Sequence, residues 1–135
     1  MKLQAYVDGG ARGNPGEAGS GVYIPGHVRI AEYLGTQTNN YAEYNGLISA
    51  VRTAVLLRAV ELEVYADSEL VVKQIRGEYQ VRNESLRSLY DSAQRWIRLL
   101  PKFSIHHVRR EMNKEADKLA NLAMDKRANF IEWLA

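Results

Sequence analysis

The chain has 135 residues, 46% hydrophobic and 25% charged, with a net charge of +2 and no cysteine. That length bounds one domain with a core of its own, and the composition is that of a folded soluble protein rather than a disordered one. Disulfides, thiolate chemistry and cysteine-based zinc sites are excluded, no stretch reaches membrane-span length, and MKLQAYVDGG lacks a signal peptide's apolar run, so a cytoplasmic protein is expected.

Leu3 to Val7 reads as a short apolar strand that ends at Asp8 and runs into a glycine-rich turn containing Gly9, Gly10, Gly13, Pro15 and Gly16. Missing side chains there let a ligand lie against the backbone beside a negative charge. A glycine turn that cradles phosphate offers N–H groups with no carboxylate at its mouth, so a phosphate ligand here calls for a cation in between. Asp8-Gly9-Gly10 also reads simply as the start of a turn. Gly19 to Ile24 and His27 to Leu34 are two further strands, reversed at Pro25-Gly26.

After a polar loop, Gly35 to Asn40, a helix spans about Tyr41 to Arg58, with Asn40 as its N-cap and Glu43 three residues on as a capping-box partner. Glu61 to Ala66 is a fourth strand that delivers Asp67 at its end, and Ser68 to Arg76 is a short helix stopped by Gly77. Leu86, Leu89, Tyr90, Ala93, Trp96 and Ile97 recur at helical spacing between Glu84 and Leu100, which makes Trp96 packing rather than a base platform. Lys102 to Val108 is a fifth strand, and Asn113 caps a closing helix to Met124. The tail, 126–135, carries Phe130, Ile131, Trp133 and Leu134 and is apolar enough to pack on the body or a partner.

Three consecutive strands followed by alternating helices and strands give an α/β fold. Its sheet is mixed and five-stranded, three antiparallel strands continued by parallel ones and flanked by helices, with ligand chemistry expected at strand ends. Between Lys73 and Arg110 there are nine basic residues against three acidic ones, which fits either solvated helix faces or a phosphate-bearing partner.

Four acids sit at element ends or first turns: Asp8, Glu43, Asp67 and Asp117. Taken singly, Glu43 reads as a cap partner, Asp67 as a helix cap and Asp117 as a macrodipole complement. Taken together, the blocks YVDGGARGNPG, TNNYAEYNGLISA, VYADSELVVKQI and NKEADKLANLA resemble type 1 ribonuclease H over nearly the whole chain, with one acid per block in that family's order.

The resemblance implies a single ribonuclease H domain over residues 1–135, with a ribonuclease H-like fold. In it Asp8, Glu43, Asp67 and Asp117 converge to hold two Mg²⁺ ions, with Mn²⁺ as a substitute. Carboxylates packed without metal repel and raise each other's pKa, and hard oxygen ligands are what these ions prefer. The implied activity is endonucleolytic hydrolysis of the RNA strand of RNA·DNA hybrids, leaving 5′-phosphate and 3′-hydroxyl ends. Glu43 is further implied to accept from a 2′-hydroxyl, Asn14, Asn39 and Asn40 to contact the minor groove, and Thr38 to belong to a DNA-strand phosphate pocket. Gly9 falls beside the substrate.

Two features depart from the family pattern. Only Arg109, Arg110, Glu111 and Met112 separate Val108 from Asn113, so the family's loop histidine is missing; Glu111 is the nearest stand-in, while His106 and His107 fall within a strand. A basic helix and loop found in some members is also absent after Gly77, leaving Arg76, Arg82 and Arg87 to replace its phosphate contacts. Looser selectivity is therefore expected, extending to RNA–DNA junctions or double-stranded RNA. A free-standing monomer without an obligate protein partner is expected. The rival readings are a silent hybrid-binding module, a resolvase or transposase-like nuclease, and an excised domain of a reverse transcriptase or fused phosphatase.

Overall fold

The computed structural model describes residues 1–134. Six strands form one mixed sheet in the order β5-β4-β1-β2-β3-β6. Strands β1 (Lys2–Gly13), β2 (Gly16–Ile24) and β3 (Val28–Gln37) make an antiparallel meander. β4 (Glu61–Ala66) and β5 (Lys102–His107) extend it in parallel on the other side of β1. The mixed α/β architecture expected from the sequence is present, with one strand more than the five anticipated. That strand, β6 (Phe130–Trp133), pairs antiparallel with β3, setting Ile131 opposite Ile30. Neither glycine nor proline announces it: the chain reverses at Arg127, in the left-handed region at φ 48°, and Asn129 Oδ1 accepts from Tyr33 N at 2.8 Å.

Alternation along the strands divides the molecule into two layers. Leu3, Ala5 and Val7 of β1 and Val22 and Ile24 of β2 face the main core, which α1 (Asn39–Leu56), α2 (Glu69–Ile75) and α3 (Glu84–Ile97) close. The opposite face carries Ala31 and Tyr23, packed with Leu119 and Ala123 of α4 (Lys114–Lys126). Leu47, Leu62 and Tyr44 are fully buried, and side chains of this size contribute about 1.5–3 kcal/mol each when removed from water. Tyr44 keeps its hydroxyl satisfied by donating to Gln74 Oε1 at 2.5 Å, which ties α1 to α2. Trp96 is partly buried against the main core, a packing residue as its spacing indicated. Among the described residues no helix is long and apolar enough to cross a membrane.

Asp8 does not end the first strand. β1 continues to Gly13, pairing Gly9 with Ser20 and Gly10 with Gly19, and the reversal comes at Asn14-Pro15. The glycines are strand residues because helices press on the sheet from both faces. A Cβ on Gly9 would lie 2.3 Å from the Ala42 carbonyl in α1, and one on Gly21 would lie 2.2 Å from the Ala116 oxygen in α4.

Three expected caps are also corrected. Thr38, not Asn40, caps α1, its Oγ1 accepting from Tyr41 N at 3.1 Å, so Glu43 lies past the first turn and is no capping-box partner. Ser68 caps α2 by accepting from Val71 N at 3.3 Å, which leaves the Asp67 carboxylate without that task. Asn113 occupies the cap position of α4 but makes no capping bond; its Nδ2 donates instead to the Val7 oxygen at 2.8 Å.

Candidate active site

The two glycine contacts decide where the acids meet. Gly9 lets α1 close on β1 and so brings Glu43 beside Asp8, while Gly21, paired with Asp8 across the sheet, lets α4 approach with Asp117. Asp67 arrives from β4, whose last residue, Ala66, pairs with Val7. Carboxylate oxygens of Asp8, Glu43 and Asp67 lie within 4.8 Å of one another. Asp117 is not part of that tight trio but lines the same open cleft of about 880 Å³.

Little within the protein offsets the charge. Asp8 and Glu43 are only 6% and 8% exposed. One backbone donor serves both, the Gly9 N–H, at 2.9 Å from Asp8 Oδ1 and 3.2 Å from Glu43 Oε1. Burial above all, then the neighbouring Asp67 charge, pushes the Asp8 carboxyl up to about 7. Burial, followed by the charges of Asp8 and Asp67, likewise holds Glu43 well above its ordinary range. Glu43 Oε2 is buried with no hydrogen-bond partner among the described residues. An orphaned buried carboxylate oxygen beside two further acids is a poor arrangement for a protein alone. It suits a hard divalent cation, so the residues present fit one.

The other expected site residues divide into groups. Asn39 and Asn40 line the cleft. Asn39 Oδ1 accepts from Ala11 N at 2.8 Å, and Asn14 Oδ1 accepts from Asn39 N at 3.0 Å, so these two amides form one braced unit. Thr38 is exposed beside them. Gly9 also lines the cleft, with its N–H taken by the carboxylates and no room for a Cβ against α1. Arg76 and Arg82 do not line the cleft; Arg76 lies 3.7 Å from Glu78 on the connection between α2 and α3. Glu111 is no stand-in for a histidine, because the single 3-10 turn Arg110–Met112 carries it into a separate hollow with Tyr6 and Tyr23.

Several cleft residues had not been singled out for the site: Arg12, His107, Arg109, Arg110 and Asn121. Arg110 Nε stands 4.0 Å from Asp67 Oδ2. His106, by contrast, stacks on Tyr65 at 5.4 Å between ring centroids. A period-two reading of β1 carried past Asp8 would have found Arg12, which shares Asp8's face of the strand.

A family model described as reverse transcriptase-like matches residues 7–123. A ribonuclease H from Janthinobacterium sp. (strain Marseille) is 31% identical, with 92% of this chain covering 96% of that protein. The chain belongs to the ribonuclease H family. LC11-RNase H1, isolated from compost by a metagenomic approach and solved in complex with an RNA/DNA hybrid, superposes with a TM-score of 0.87 at 38% identity, over 93% of this chain and 98% of that one. A bifunctional protein of Mycobacterium tuberculosis is 42% identical over 95% of this chain, which spans 37% of that relative's length. The fold is therefore the ribonuclease H fold, and the four acids stand in the blocks through which the sequence resembled type 1 members.

Proposed function

We propose that the chain hydrolyses the RNA strand of RNA·DNA hybrids with two divalent cations, Mg²⁺ or in its place Mn²⁺, held by Asp8, Glu43, Asp67 and Asp117. The observation that carries this reading is the buried carboxylate cluster with its orphaned Glu43 oxygen, at the floor of an open cleft. When bound, the cations supply Lewis acidity toward both the attacking water and the departing oxygen of a phosphodiester, which gives 5′-phosphate and 3′-hydroxyl ends.

The chain's own residues hold and select. Asp8 and Asp67 sit at the heart of the cluster and are the acids least tolerant of change. Glu43, whose Oε1 accepts from Gly9 N, is also the acid that would accept from a ribose 2′-hydroxyl, the group that marks RNA at the cut. Asn14 and Asn39 spend their carbonyl oxygens inside the protein and so present only N–H donors outward. Minor-groove edges offer acceptors at every base pair, so such donors bind without reading sequence. Asn40 adds a third amide, with no side-chain hydrogen bond of its own among the described residues. Thr38 Oγ1 accepts from Tyr41 N, which leaves its O–H to donate to a DNA-strand phosphate. Arg76 and Arg82 would meet phosphates beyond the cleft.

The shortened connection between β5 and α4 and the missing basic helix support looser selectivity, with RNA–DNA junctions and double-stranded RNA as further substrates. The test compares labelled hybrid, junction, RNA duplex and DNA duplex with Mg²⁺, Mn²⁺ or chelator, for the wild type and Asp67→Asn. Metal-dependent hybrid cleavage lost in the variant is expected. Cleavage undiminished in Asp67→Asn overturns the assignment, and cleavage confined to ribonucleotide runs paired with DNA overturns the looser selectivity.

A further inference from the structure

We propose that Arg12 is a phosphate contact for the nucleic acid strand lying across the carboxylates, held ready by Asn121 and Asp125 of α4. This rests on the hybrid-hydrolysis reading above. Arg12 lines the same cleft as Asp8, Asp67 and Asp117. It shares Asp8's face of β1, with only Gly10 between them, so no side chain blocks the path. Four strand residues span about 13 Å, which puts the contact a few nucleotides from the cut rather than on the scissile phosphate.

The guanidinium is anchored through one nitrogen. Arg12 Nη2 lies 2.6 Å from Asp125 Oδ1 and donates to Asn121 Oδ1 at 3.1 Å. Asn121 is itself fixed, its Nδ2 donating to the Asp117 oxygen at 3.0 Å. Nε and Nη1 meet no acceptor among the described residues, so a planar fork with unused donors is oriented before any ligand arrives. The side chains of Arg12 and Asp125 are 47% and 59% exposed, and an ion pair this exposed does little for stability. Its geometric effect is to stop a long side chain from wandering, which lowers the entropic cost of capturing a phosphate. Charge placement agrees. An acidic floor repels a polyanion, and the cleft's arginines stand at its two sides, Arg12 toward α4 and Arg109 with Arg110 after β5.

The experiment measures hybrid cleavage as a function of salt for the wild type, Arg12→Ala, Arg12→Lys and Asp125→Ala, with thermal unfolding of each. Arg12→Ala should raise KM about three- to tenfold with kcat near the wild-type value, and lower the slope of log KM against log salt by about one. Arg12→Lys should restore most of that slope, and Asp125→Ala, which loosens the guanidinium but keeps its charge, should raise KM by less than Arg12→Ala does. Arg12→Gln, which keeps an unbranched polar side chain and drops the charge, gives the same readout if Arg12→Ala does not fold. An active wild type whose KM and slope match those of Arg12→Ala overturns the assignment of Arg12 alone, as does an Asp125→Ala KM raised as far as that of Arg12→Ala. A wild type that cleaves no hybrid overturns the underlying reading and this inference with it.

Discussion

Asn113 donates through Nδ2 to the Val7 carbonyl at 2.8 Å, fastening the start of α4 to the strand residue just before Asp8. Asp117 N in turn donates to the Asn113 carbonyl at 3.1 Å, so one buried side chain links the strand of one acid to the helix of another. Removing it leaves a buried acceptor without its donor, at a cost of about 1–3 kcal/mol. Asn113→Ala should lower the melting temperature and reduce kcat more than it raises KM, because Asp117 loses its placement. Asn113→Asp, which keeps the shape but not the donor, should not rescue it. Wild-type kcat in a destabilised Asn113→Ala would reduce Asn113 to a stability residue.

Two glycines make a sharper steric prediction. Gly9→Ala and Gly21→Ala each put a methyl group within 2.5 Å of helix backbone, where no side chain can swing aside. Overpacking of this kind costs about 1–3 kcal/mol, and here the strain moves α1 with Glu43 or α4 with Asp117. Activity should fall by more than the lost stability explains when assayed well below the melting temperature. Full activity in a folded Gly9→Ala chain would contradict the role given to close helix approach.

Charge in the cluster sets a pH dependence with a definite sign. Asp8 is raised from an ordinary 3.8 to about 7, and Glu43 moves the same way. A carboxyl whose pKa is higher in the folded state contributes stability that is complete below its unfolded value and is lost as pH rises through the folded one. The metal-free chain should therefore melt at lower temperature as pH climbs from about 4 to about 7 and beyond. Asp8→Asn should flatten that fall and exceed the wild type in melting temperature at pH 8 in chelator, while losing activity. Mg²⁺ should restore the wild type by taking the proton's place. An Asp8→Asn chain less stable than the wild type at pH 8 without metal would contradict this.

Much of this was legible in the sequence, for identifiable reasons. Apolar periodicity marked the helices, and Val, Ile and Tyr runs marked the strands. Four short blocks mark the acids, one in each. What the sequence does not display depends on contacts distant in sequence. Gly9 looks like a turn residue until α1 is known to press on it. Asn113 looks like a cap until Val7 is known to lie within reach. Asn40 sits two residues past the true cap, and both it and Thr38 are good capping residues, so local propensity could not choose. Arg12 falls among turn-like glycines until β1 is known to run on to Gly13.

Strand β6 offers a control remote from the cleft. Its pairing with Val28–Ala31 covers the β3 edge, and Asn129 adds the bond to Tyr33 N. Truncation after Ala128 should lower the melting temperature and favour association through the uncovered edge, with kcat and KM of the remaining monomer unchanged. A change in kcat would show that the sheet edge communicates with the carboxylates.

The most direct test of the account is where manganese goes. Crystals soaked in Mn²⁺ and measured at its absorption edge should show anomalous density among the carboxylates of Asp8, Glu43 and Asp67, with Asp117 facing it. Four carboxyl groups turned apart, with no anomalous peak among them at saturating manganese, would contradict it.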